Sequence, residues 1–123
     1  MSSPAHHAAL SAQRWARFSW DQQILSIAAE ANRGLKDVRA GRSDSARSSY
    51  ERVLTLLELT AGLASGAGRL KEITRLKEFT AGLFIAQRLD LADHQAMMRS
   101  LLQMSPQGLA QIQLLHDGLS QNR

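Results

Sequence analysis

Apolar residues fall into helical register along nearly the whole chain from Ser19 onward. In the first segment Ile24, Ala28, Ala31, Leu35 and Val38 step by 4, 3, 4 and 3, which lays one buried stripe along a helix. Arg33 and Lys36 fall on the opposite side. Ser19 followed three residues later by Gln22 has the capping-box spacing that opens a helix, and Gly41 supplies the left-handed residue that commonly follows a helix end. A second segment starts within RSDSA, with Ser43 or Asp44 as the expected cap, and carries Ala46, Tyr50, Val53, Leu57 and Ala61, widened by Leu54 and Leu56. Gly66 and Gly68 are expected to end it. Only a few residues separate these two segments, so they should pack as an antiparallel pair.

A third helix is predicted from about Arg69 to Gln87. Leu70, Ile73, Leu76, Phe79, Leu83 and Phe84 cover about half its circumference, a face wide enough for two neighbours. The pattern breaks near Leu89. Asp90 can then cap a fourth helix through Ala92, Met97, Met98, Leu101 and Leu102. Ser105 followed by Pro106 is a start signal for a short fifth helix with Leu109, Ile112 and Leu115 on its apolar side. No segment alternates apolar and polar residues between hairpin turns, so strands are not expected. The predicted fold is all-α, an antiparallel helical bundle of four main helices plus a short C-terminal helix. Residues 1–18 are expected to form an N-terminal arm, partly flexible, residues 19–119 the helical bundle, and residues 120–123 a frayed tail.

Within this pattern the chain repeats itself. ELTAGL at 58–63 returns as EFTAGL at 78–83, and RLKEIT at 69–74 is followed at once by RLKEFT. Six residues turn a helix by about 600°, so the adjacent copies lie about 120° out of phase and spread apolar residues around an arc. The glycine-dense GLASGAGRL does not fit a phosphate-binding loop. Counting from Gly62, Ala67 stands in the second glycine slot, and no lysine with a following hydroxyl residue comes in register. No strand precedes it, as a dinucleotide fold would need. It reads as a corner between helices.

Composition adds limits. With 123 residues and 44% hydrophobic content the chain suits one domain with a modest core. It has no cysteine, which excludes disulfides and thiolate chemistry. No apolar run reaches the ~18–20 residues of a membrane span, so no membrane role is expected. The N-terminus lacks a secretory apolar core. It carries Arg14 and Arg17 without an acid before Asp21, as transit peptides do, but two basic residues are few. A cytoplasmic protein is expected. The net charge of +4 comes from twelve arginines and three lysines against eleven acids. A basic balance favours acidic partners where it is clustered, yet here the charges are mostly interleaved, as on solvated helix faces.

No residue pattern points to catalysis. The acids all have basic neighbours in sequence, and none stands as an isolated pair in an apolar setting. Of His6, His7, His94 and His116, only His94 has a partner at helical spacing, Asp90, and HExxH is absent. The histidines read as surface residues. A metal protein using Asp90, Asp93 and His94 is the competing reading, and neither a metal nor any other cofactor is expected. Two features suit a partner surface. Trp15, Phe18 and Trp20 gather half of the six aromatic residues, either as a plug over the bundle end or as interface anchors. Met97, Met98 and Met104 either fill the core or line a groove for another segment.

GRSDSARSSYERVLTL resembles the second helix of a tetratricopeptide repeat, but no copy recurs about 34 residues on, as an array requires. A longer likeness runs from about Ile24 to Met104. A long helix, the turn AGRSDSA, a Leu-rich helix, a glycine-containing loop, a third helix and the cap LDLAD together resemble flagellin-export chaperones of the FliS type. Phe79 and Phe84 stand where those chaperones usually carry a tyrosine. The resemblance implies a bundle that holds a disordered apolar tail in grooves between helices. The expected function is therefore a non-catalytic protein–protein interaction module, secretion-chaperone-like, with Trp15, Phe18, Trp20, Met97, Met98 and Met104 as partner-binding residues. Its partner would be another protein or a second copy in a homo-oligomer. The alternative is nucleic-acid binding through Arg33, Arg39, Arg42 and Arg47 around the first helix corner.

Overall fold

The computed structural model describes residues 12–108 and 110. Four helices follow in order: α1 (Trp20–Ala40), α2 (Ser43–Leu63), α3 (Ala67–Ile85) and α4 (Leu91–Leu102). No strand occurs among the described residues, so the chain folds as an all-α helical bundle. No described helix is long and apolar enough to cross a membrane. A single helical turn over 12–15 precedes α1, and residues 106–108 are again helical. His6, His7, Leu109, Ile112, Leu115 and His116 lie outside the described set, as does most of the expected fifth helix.

The helices pack as a ring: α1 on α2, α2 on α3, α3 on α4, and α4 back on α1. Short connections make successive helices antiparallel. The core runs down the ring's axis and includes Ile24, Ile27, Tyr50, Val53, Leu57, Ile73, Met97 and Leu101, all essentially without exposed surface. Burial of each large aliphatic side chain contributes roughly 1.5–3 kcal/mol, which is why the bundle forms although its single helices would not persist alone.

Helix ends follow local chemistry. Ser19 caps α1 by accepting from the Gln22 N–H at 3.1 Å, and the Gln22 side chain accepts from the Ser19 N–H at 2.9 Å. Gly41 ends α1 at φ 72°, and the Arg42 N–H donates back to the Asp37 carbonyl at 2.8 Å. That tight turn corrects the expected start of α2. Arg42 itself is the cap residue and makes no side-chain cap bond, while Ser43 is already helical and Asp44 sits in the first turn. Two residues between helices leave no room for a separate serine or aspartate cap. At the next corner, Gly66 at φ 87° opens α3 two residues earlier than the pattern suggested, and Gly68 lies inside that helix. α3 also stops at Ile85, short of Gln87. Asp90 caps α4 by accepting from the Asp93 N–H at 2.9 Å.

The apolar arc of α3 is only half used. Ile73, Leu76 and Leu83 are buried between α2 and α4, whereas Leu70 and Phe79 remain 46% and 41% exposed. Thr80, which the arc did not include, is fully buried in their place. In α4 the expected Ala92 is exposed and His94 takes the inward position.

Candidate functional site

The open half of α3 borders a groove. Leu76 and Phe79 form one wall, Ala96 and Met104 the other, with Glu72, Arg75, Ser100 and Gln103 at its edges and a volume of about 410 Å³. A second hollow of about 280 Å³ shares Glu72, Gln103 and Met104 and extends toward Trp20, Gly68 and Arg69. Together they run along α3 from Gly68 to Phe79, about 16 Å at 1.5 Å per residue. That length matches three turns of a docked helix.

The N-terminal aromatic residues build the end of this groove and the end of the bundle. The Trp20 indole N–H donates to the Met104 carbonyl at 2.7 Å, and the Arg69 guanidinium lies 4.5 Å above the Trp20 ring. This arrangement fixes the chain after α4 against the start of α1. Trp15 is buried, and its indole N–H donates to the Thr60 hydroxyl at 2.9 Å. The Gln23 side chain in turn donates to the carbonyls of Trp15 and Phe18. Phe18 packs edge-on to Trp15 at 5.7 Å and stays exposed over Gln22 and Leu25 on another face of the molecule.

The six residues expected to meet a partner therefore separate. Trp20 and Met104 line the groove. Phe18 is accessible but apart from it. Met98 is half-buried against the core. Trp15 and Met97 are interior, so neither presents a surface in this conformation. Phe79, which the sequence places in an apolar arc and not among the partner-binding residues, is the groove's exposed aromatic; its departure from the arc's buried members was the signal that only the fold could supply.

The four arginines of the alternative reading also separate. Arg33 and Arg42 line an open cleft between α1 and α2, and Arg39 is exposed near the corner. Arg47 is turned to the other neighbour of α2, donating to the Ala86 carbonyl at 2.7 Å and the Gln87 carbonyl at 3.4 Å. There it serves the C-terminal end of α3, where unpaired carbonyls favour a cation.

His94 corrects the expectation of a surface histidine. It has no exposed surface. Its Nε2 lies 2.8 Å from the Ala31 carbonyl, and its Nδ1 lies 2.8 Å from the Tyr50 hydroxyl. A carbonyl can only accept, so Nε2 carries the proton and Nδ1 accepts from Tyr50. The ring enters because Gly34 has no side chain: a Cβ there would stand 3.1 Å from His94 Cε1 and 2.9 Å from Ser49 Cβ. Burial holds the His94 pKa below the ordinary histidine value, against the raising effect of the Ala31 carbonyl. Burial also pushes the Tyr50 hydroxyl up to about 12, with Arg47 opposing and Asp90 and Asp93 adding to the rise. The pair is a polar pin joining α4 to α1 and α2. Among the described residues no group of three metal-ligating side chains comes together, and Asp90 is occupied as a cap.

No family model matches the chain, and no curated protein or solved structure shows significant similarity to it.

Proposed function

We propose that the protein is a non-catalytic interaction module that holds an amphipathic helical segment of a partner protein in the α3–α4 groove. The observation that carries this reading is Phe79, 41% exposed although Leu76 and Leu83, one turn to either side, are buried, beside a groove long enough for three helical turns. Leu76, Ala96 and Met104 add apolar lining on both walls, and the polarizable, unbranched methionine adapts to the shape of an incoming side chain. Arg69 and Arg75 against Glu72 leave the rim net positive, so the occupant is a segment with one apolar stripe and acidic flanks. The resemblance to flagellin-export chaperones implies a related mode, a disordered apolar tail of a partner protein held in grooves between helices.

The test is a photo-cross-link in the native host. With p-benzoylphenylalanine at position 79, a covalent adduct to one partner protein is expected, absent when the probe stands at Asn32 on the exposed side of α1. The change Met104→Asp should remove the adduct. Equal cross-linking at both positions, or none at 79, would overturn the proposal. An adduct to a second copy of the chain would replace the partner by a homo-oligomer.

A further inference from the structure

The α1–α2 side of the ring, opposite the groove, holds a feature that the interaction reading does not use. An open cleft of about 480 Å³ is lined by Arg33, Lys36, Arg42 and Arg52, with the hydroxyls of Ser45, Ser48 and Ser49 between them. Among the described residues, Asp37 is the only carboxylate in the lining.

The arginines are held in place. Glu30, almost wholly buried beneath the cleft, uses one oxygen on each wall: Oε2 pairs with Arg33 of its own helix at 3.4 Å, and Oε1 with Arg52 Nε of α2 at 2.5 Å. A second N–H of Arg52 donates to the Ser49 hydroxyl at 3.3 Å. Arg42 Nε pairs with Asp37 at 2.9 Å. A guanidinium has five N–H donors, so each arginine keeps three or four beyond these bonds. Orientation is thus set by two carboxylates while most of the donor capacity is uncommitted.

Four cations against Glu30 and Asp37 leave a local excess of two positive charges. A phosphate monoester carries about −1.5 to −2 at neutral pH, with three acceptor oxygens. We propose that this cleft is an oxyanion site for one phosphate group borne by a small molecule, with arginine forks on the oxygens and serine hydroxyls as neutral donors. A single site fits better than a nucleic-acid track. Binding along a polynucleotide needs several spaced cations, and Arg47, the residue that would extend the row along α2, is committed to the end of α3.

The experiment is an amide-resolved NMR titration of the full chain with inorganic phosphate, followed by a phosphate monoester and a single-stranded oligonucleotide. Saturable shifts confined to α1 and α2 around Lys36 and Ser45–Ser49 are expected with phosphate. Arg42→Gln and Lys36→Gln, both exposed changes that leave Glu30 paired, should each weaken binding about tenfold; Lys36→Gln should leave the melting temperature in place, and Arg42→Gln, which gives up the pair with Asp37, should lower it only slightly. Shifts that never saturate, or that are the same in wild type and both variants, would overturn the site. So would oligonucleotide binding that is far tighter than phosphate and steeply salt-dependent, which would assign the surface to nucleic acid. The groove cross-link at position 79 reads none of these residues, so the two proposals stand or fall separately.

Discussion

A histidine with no exposed surface, donating to one carbonyl and accepting from one hydroxyl, is favoured in its neutral form, because burial penalises the charged ring. The folded pKa of His94 lies below the unfolded value of about 6.5. The unfolded chain therefore binds the proton first on acidification. This contribution to stability is complete above about pH 6.5 and is lost as pH falls below it, by at most about 1.4 kcal/mol per pH unit. Urea unfolding of wild type and His94→Gln between neutral and mildly acidic pH checks this: the difference between the two should narrow on the acid side, and a constant difference would refute it. Gly34→Ala gives a second residue-scale result. Alanine in a helix ordinarily stabilises by up to about 1 kcal/mol over glycine, but here its Cβ would press on Ser49 Cβ, which cannot move without its backbone. A net loss of about 1–2 kcal/mol is expected in denaturant melts. Neither role was legible from the sequence. LDLADHQ looks like a polar run at a helix start, and what buries His94 is an absent side chain 60 positions earlier.

At the scale of the helix, the two TAGL copies share one local device and differ in what surrounds it. Thr60 and Thr80 are both fully buried, and each donates to the carbonyl four residues back, Leu56 and Leu76, at 2.8 Å. Only Thr60 also accepts from a tryptophan. Thr60→Val leaves the buried Trp15 N–H without a partner and should cost about 1–3 kcal/mol. Thr80→Val keeps the shape, frees no donor and should change stability by less than about 1 kcal/mol. Equal losses by calorimetry would show that the repeat has one role in both helices. The repeat is visible in the letters themselves, and the caps at Ser19 and Asp90 and the turn at Gly41 were readable because each depends on residues within five positions. The start of α2 was not, because the two-residue corner that displaces its cap is a matter of chain path.

For the whole molecule, the periodic stripes were enough to give a helical bundle, since each stripe needs a neighbour to cover it. They could not say which part of the α3 arc would be left open, and the groove is that remainder. The N-terminal aromatic cluster was readable as plug or anchor, and its members divide: Trp15 closes the bundle end while Trp20 borders the groove. Trp15→Ala should therefore destabilise by about 3–5 kcal/mol in thermal or chemical unfolding, with Phe18→Ala well below that. A small loss at Trp15 would mean that the end of the ring does not depend on it.

The bond between Trp20 and the Met104 carbonyl brings the two ends of the bundle sequence to the same pole, with the Gly41 corner at the other. The order of the helices is then largely a matter of where the circle is cut. A flexible linker joining the segment after Met104 to the one before Trp15, with new termini opened in the exposed Ser65–Gly66 corner, should yield a permuted chain with the same helices and groove. Stretched by those new termini, such a molecule would peel α3 away from α2 first, whereas the natural order would part α1 from α4.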